Sequence, residues 1–153
     1  MTPVSRIHKI KFPALMLTVL GIATMLLSAC SPNGGGAAGD LKMATMADMP
    51  AEVQEAAVTV REAYQFAVAN PDVLQNLPCY CGCGPMGHTS NYSCYVQSAE
   101  GEEIVFDTHA LGCGICVDIT QDAMRMLRDG KTMTEIRAAI DADYSRFGPS
   151  NMP

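Results

Sequence analysis

The sequence predicts a small, mostly helical α+β domain. About three helices and a short β-hairpin surround a loop cluster rich in cysteine and histidine. Three observations point there. Apolar residues recur at helical spacing in three segments, around Val53 to Ala67, Val117 to Leu127 and Ile136 to Tyr144. Two short runs, Cys94–Gln97 and Glu103–Phe106, flank a turn at Ala99-Glu100-Gly101 and read as paired strands. Six of the seven cysteines and two of the three histidines fall between Cys79 and Cys116.

The chain opens with Arg6, His8, Lys9 and Lys11, then an apolar run from about Phe12 to Leu27 that ends at Leu27-Ser28-Ala29-Cys30. A basic start, an apolar stretch and small residues at the cut describe an export signal over residues 1–29. The run is short for a membrane span, which needs about 20 apolar residues. The cysteine after Leu-Ser-Ala resembles the lipobox of bacterial lipoproteins. That resemblance implies a diacylglycerol on the Cys30 sulfur and Cys30 as the first mature residue.

Residues 30–49, with Gly34-Gly35-Gly36 and Ala37-Ala38-Gly39, lack periodicity and read as a flexible tether. The spacing of Met43, Met46 and Met49 allows copper(I) thioether ligation but reads first as an incipient helix. The domain proper spans residues 50–148. Pro50 suits the first turn of a helix, with Glu52 and Glu55 favourable against its dipole. Asn70-Pro71 ends that helix, and Asp72 to Leu77 adds one short turn. A loop follows that contains Gly82, Gly84, Pro85 and Gly87, backbone suited to wrapping an ion rather than to regular structure. After the hairpin, His109 falls in an exit loop. Cys113-Gly114-Ile115-Cys116 opens the next helix, which Asp129-Gly130 stops. Thr132-Met133-Thr134-Glu135 is a capping-box pattern for the last helix. Gly148-Pro149 ends it, and residues 149–153 form a polar tail.

The candidate ligands are Cys79, Cys81, Cys83, His88, Cys94, His109, Cys113 and Cys116, enough for two tetrahedral sites. A Cys-x-Cys pair on glycine-turned backbone can direct two thiolates at one ion. Cys-x-x-Cys at a helix start favours thiolate, because the helix N-terminus lowers the thiol pKa. Three uses of these cysteines compete: metal ligation, a disulfide framework, and thiol–disulfide exchange at Cys113 and Cys116. Metal ligation alone also accounts for His88 and His109 standing among the cysteines. Zinc accepts any Cys/His mixture, copper(I) prefers thiolates and thioethers, and Met86 lies beside the cluster in sequence. Asp107 reads as a loop cap, and Tyr80, Tyr92 and Tyr95 as cover for the site.

The stretch Pro78-Cys79-Tyr80-Cys81-Gly82-Cys83 resembles the sequence that names the bacterial PCYCGC-motif proteins, which are exported and often lipid-anchored. The resemblance covers roughly Pro50 to Gly148. It includes Gly87-His88, Cys94 followed by an aromatic, Asp107-x-His109 and Cys113-Gly114-x-Cys116. It implies kinship and setting, and no particular chemistry.

Three of the ten Lys and Arg precede Cys30 and none of the sixteen Asp and Glu does, so the chain from Cys30 onward carries a net charge of −9. Such a surface does not bind nucleic acid by charge. No Ser/His/Asp arrangement or nucleotide-binding glycine pattern is present. The expectation is a lipid-anchored metal-binding protein on the extracytoplasmic face of the cell membrane, holding copper(I) or zinc and exchanging it with a donor or acceptor protein. Replacing Cys30 by Ala should abolish incorporation of labelled acyl chains. Labelled lipid on the Cys30→Ala protein would overturn the assignment of the anchor.

Overall fold

The computed structural model describes residues 41–101 and 103–152. The export signal, Cys30 and residues 30–40 of the tether lie outside the described residues. The elements in order are α1 (Ala51–Gln54), α2 (Val58–Ala69), α3 (Pro71–Leu74), β1 (Val96–Glu100), β2 (Glu103–Phe106), α4 (His109–Gly112), α5 (Gly114–Arg128) and α6 (Met133–Tyr144). Short 3-10 turns stand at Met46–Asp48, Gly84–Met86, Tyr92–Cys94 and Ser145–Phe147. The architecture is α+β and mostly helical, as the sequence predicts. None of the described helices is long and apolar enough to cross a membrane.

The three long helices make the scaffold, with α2 and α6 each packed on α5. Ala63, Tyr64, Phe66 and Ala67 of α2 are buried with Val117, Ile119, Ala123 and Met124 of α5, and Ile136 and Ile140 of α6. These are the positions that the 3.6-residue period selects. Tyr64 meets Tyr95 edge to face, with ring centroids 5.0 Å apart. Two side chains cross between helices. Gln121 Nε2 donates to the Thr59 carbonyl at 2.8 Å, and the Tyr144 hydroxyl donates to Asp122 Oδ2 at 2.9 Å.

Local signals set the helix ends. Thr132 and Glu135 form both bonds of the capping box at the start of α6. At the end of α5, Lys131 N–H donates to the Met126 carbonyl and Gly130 N–H to that of Leu127, the paired bonds of a Schellman ending.

Three details differ from the sequence reading. The first predicted helix is broken between Gln54 and Val58, because Ala57 is extended (ψ 150°). No glycine or proline marks the break. Across the break Arg61 Nη1 donates to the Gln54 carbonyl at 3.3 Å. Cys94 and Tyr95 precede the first strand rather than opening it, and Ala99 and Glu100 belong to that strand. The pairing runs Glu100↔Glu103, Ala99↔Ile104, Ser98↔Val105 and Val96↔Phe106, with an irregularity between Val96 and Ser98. His109 is the first residue of α4 rather than part of a loop, because Asp107 Oδ1 accepts its backbone N–H at 2.7 Å.

Both flanks of the domain are tied down. Ala44 exchanges hydrogen bonds with Gln65, Asn70 Nδ2 donates to the Lys42 carbonyl, and Met49 is buried. Met46 and Met49 pack on the core, as a structural stripe does, while Met43 is exposed. At the other end, Asn151 pairs with Cys79. Its Oδ1 accepts from Cys79 N–H at 2.7 Å, and its N–H donates to the Cys79 carbonyl at 3.1 Å. Asn151 Nδ2 also donates to the Ser90 carbonyl at 3.1 Å. Gly148 lets this segment pass the cysteine loop, since a Cβ there would stand 3.0 Å from the Tyr80 carbonyl oxygen. The sequence offers no periodicity or motif by which Asn151 could be found.

Asn151→Ala removes the partners of the Cys79 N–H and the Ser90 carbonyl. It should lower unfolding stability by about 1–3 kcal/mol, read by chemical denaturation, with the loss centred on the cysteine loop. An unchanged midpoint would show that the C-terminal segment does not brace the loop.

Candidate metal centre

Four elements deliver the eight predicted ligands. The glycine loop carries Cys79, Cys81, Cys83 and His88, the 3-10 turn before β1 carries Cys94, α4 begins with His109, and the start of α5 supplies Cys113 and Cys116. Gly82 (φ +81°) and Gly87 (φ +92°) take left-handed conformations that other residues adopt only under strain, and they bend the loop back on itself. Tyr80, read from the sequence as cover, does more. Its hydroxyl donates to Asp141 Oδ1 at 2.6 Å and pins the loop to α6. Asn91 N–H donates to the Leu77 carbonyl at 2.8 Å and closes the loop's base.

The structure brings all eight ligands together. Cys79 Sγ lies 3.3 Å from both Cys81 Sγ and Cys116 Sγ, and Cys81 Sγ lies 3.6 Å from Cys116 Sγ. Cys83 and Cys94 are 3.9 Å apart, and His109 Nε2 is 3.4 Å from Cys81 Sγ. A tetrahedral ion with sulfur at ~2.3 Å and nitrogen at ~2.0 Å spaces its donors ~3.4–3.8 Å apart. The observed contacts straddle that range. Two sets of four meet the requirement of mutual proximity: Cys81, His109, Cys113 and Cys116, and Cys83, His88, Cys94 and His109. Cys79 joins Cys94 and Cys116 in one set of three, and Cys81 and Cys83 in another. The six cysteines among the described residues are all free thiols, so the disulfide framework weighed from the sequence is not formed there.

A buried atom without a partner supports the fit of a metal. His88 Nε2 faces Asp107 Oδ2 at 3.3 Å, while His88 Nδ1 is buried and has no hydrogen-bond partner. With Nε2 bound to a carboxylate, Nδ1 is the nitrogen left with a free lone pair, as in a histidine ligand oriented by a carboxylate. Asp107 serves both histidines, since its other oxygen accepts the His109 N–H. The two rings meet edge to face, 5.0 Å between centroids. Tyr64 donates to the Asp107 carbonyl at 2.7 Å and ties this hub to the helical core.

Around α5 a second set of polar groups holds Cys116. The Tyr95 hydroxyl and Asn91 Nδ2 donate to the Cys116 carbonyl at 2.8 and 3.2 Å, and the Thr120 hydroxyl donates to Asn91 Oδ1 at 2.8 Å. All three side chains are fully buried. A buried polar group without a partner is costly, so this closed network fixes the start of α5. Asn91, Thr120 and Asn151 escape sequence reasoning. The signal for Asp107 was its place two residues before His109.

The thiols share charge unequally. Hydrogen bonding from the Cys116 thiol, and then from that of Cys94, holds Cys79 well below the ordinary thiol range. Cys116, as donor to Cys79, is pushed up, and burial pushes Cys81 up. Protons are therefore shared between neighbouring thiols of the cluster. An ion entering it replaces those protons. Cys83 also receives the Asn151 amide N–H at 3.6 Å. Met86 is exposed and stands on the rim of a polar groove beside His88.

Residues 19–151 match the family described as a protein of unknown function with PCYCGC motif, and the chain belongs to that family. Comparison with curated proteins gave no match, and comparison with solved structures gave none.

Asp107→Asn keeps the size of the side chain but places no carboxylate behind His88. Metal affinity should fall about 10–100-fold in competition with a chromophoric chelator. Affinity equal to that of the unmodified protein would show that His88 is not a ligand held by Asp107.

Proposed function

We propose that this protein is an exported, lipid-anchored metal-binding protein, which holds a thiophilic ion in its Cys/His cluster at the extracytoplasmic face of the cell membrane. One observation carries the reading of the cluster: eight soft or borderline donors fall into overlapping groups whose ligand atoms lie within 4.8 Å of one another, and the buried His88 Nδ1 among them has no hydrogen-bond partner. The anchor rests on Leu27-Ser28-Ala29-Cys30 and on the basic and apolar stretches before it.

Copper(I) is the favoured ion and zinc the alternative. Six thiolates for two imidazoles make a soft donor set, and each sulfur but that of Cys113 belongs to more than one possible ligand group. Zinc suits either set of four equally well in geometry. The role favoured is capture and delivery rather than pure scaffolding. Cys81, His109 and Cys113 are only half-buried, so a partner's ligand can reach an ion held there. A metal donor or acceptor protein at the membrane is the implied partner.

Thiol–disulfide exchange is the second reading. It is favoured by Cys113 being half-buried beside buried Cys116 at a helix start. Against it, Cys116 Sγ contacts Cys79 and Cys81 and is engaged in the cluster.

The deciding measurement is elemental analysis with a free-thiol count and a native mass, on protein purified without oxygen. The expected result is copper or zinc bound, six protected thiols and no turnover in insulin reduction. A metal-free protein, lighter by about 2 Da for each bridge formed, would establish the disulfide framework instead. Insulin reduction at the rate of a thioredoxin would establish the redox reading.

A further inference from the structure

The geometry points to two unequal subsites within the cluster, an outer one through which all metal is exchanged and an inner one loaded from it by way of His109. This inference rests on the metal-binding reading above and adds the route and the order of filling.

The two sets of four share one residue, His109. Cys113 belongs to the first set alone and His88 to the second alone. The sets differ in donors, three sulfurs and one nitrogen against two and two. They differ more in access. In the second set Cys83 is 1% exposed, Cys94 0% and His88 7%. In the first, Cys81 and Cys113 are half-buried, as is the shared His109, and only Cys116 is fully enclosed.

A groove of about 250 Å³ opens on the first set. Cys113 lines it together with Ala110, Leu111, Gly112 and Gly114. A Cβ built on Gly112 or Gly114 would meet nothing within 4 Å, so the space beside Cys113 is clear. A thiol-bearing ligand can reach an ion there and displace one protein sulfur at a time. A second groove, about 370 Å³, approaches His88 from the side of Asp107. That side presents Nε2, which already faces the carboxylate, while Nδ1 is buried. The inner ligands therefore have no approach of their own from that groove.

Ligand sharing then sets the order. An ion arriving at Cys81, Cys113 and Cys116 is joined by His109. Moving inward, it exchanges the three sulfurs for Cys83, Cys94 and His88 and keeps His109. No electron moves: Cys83 and Cys94 give up two protons on binding, the three thiolates released take up three, and the third proton comes from solvent. With His109 committed inward, a second ion at the outer set has three protein donors and an open position, which suits it to rapid exchange with a thiol donor or acceptor.

The test uses the full chain loaded anaerobically with two equivalents of zinc as probe, then mixed with excess chromophoric chelator. Release should be biphasic, one fast equivalent and one slow. Cys113→Ser should lose the fast equivalent and slow the loading of the remaining one. His88→Gln should lose the slow equivalent and keep the fast. Gly112→Leu removes no ligand. It should retain both equivalents and slow their exchange, which keeps the proposal testable even if a ligand variant misfolds. Release of two ions in a single phase, or loading of Cys113→Ser as fast as the unmodified chain, would overturn the two-subsite route while leaving metal binding intact. A protein that takes up no zinc and no copper(I) would overturn the metal-binding reading itself.

Discussion

The structure depends on the packing of six uncrosslinked sulfurs and two imidazoles into one space, with sulfurs as close as 3.3 Å. Thiols at that distance have little to hold them together except shared protons, or an ion that replaces the protons. The loop that carries half of these ligands is rich in glycine, whose backbone loses more entropy on ordering than any other. Ligation to an ion couples its binding energy directly to the ordering of such a segment. The rest of the fold can be understood as the frame that keeps these donors in register.

That frame works by polar pins added to a buried core that takes in Cys79, Cys83, Cys94 and Cys116 themselves. The loop is held by Tyr80 to α6, by Asn91 to its own base and by Asn151 from the C-terminal segment. The start of α5 is held by Asn91 and Tyr95 through the Cys116 carbonyl. Asp107 holds both histidines and is itself tied to Tyr64 in the core. Each pin is a polar group that would be costly to leave unpaired, so the site tolerates little drift. The apolar contacts of α2, α5 and α6 lie behind this layer and supply the rigidity on which it rests.

An acidic domain with a half-open sulfur cluster is suited to handling a soft cation. The net negative charge of the chain beyond Cys30 raises the local concentration of cations without any specific contact.

Much of this was legible in the sequence because its signals are local. The 3.6-residue period marks the faces of the long helices, Thr132 to Glu135 marks a helix start, and Asp129-Gly130 a helix end. Residue type marks the eight candidate donors, thiols and imidazoles crowded into a glycine-bearing stretch, and leaves metal ligation, disulfides and thiol exchange as competing uses. What the sequence could not decide is which donors meet. Cys79 touches Cys116 across 37 residues, and Asn151 reaches Cys79 across 72. Such pairings follow from how the helices pack, and no short-range pattern encodes them. The break before α2, the two roles of Asp107 and the burial that separates an inner from an outer set arise in the same way. By itself the sequence determined the chemistry available to this protein, through the kinds of side chain it supplies and the helices that carry them. Only the tertiary structure decided the geometry of that chemistry, because distance and burial are properties of segments brought together in space.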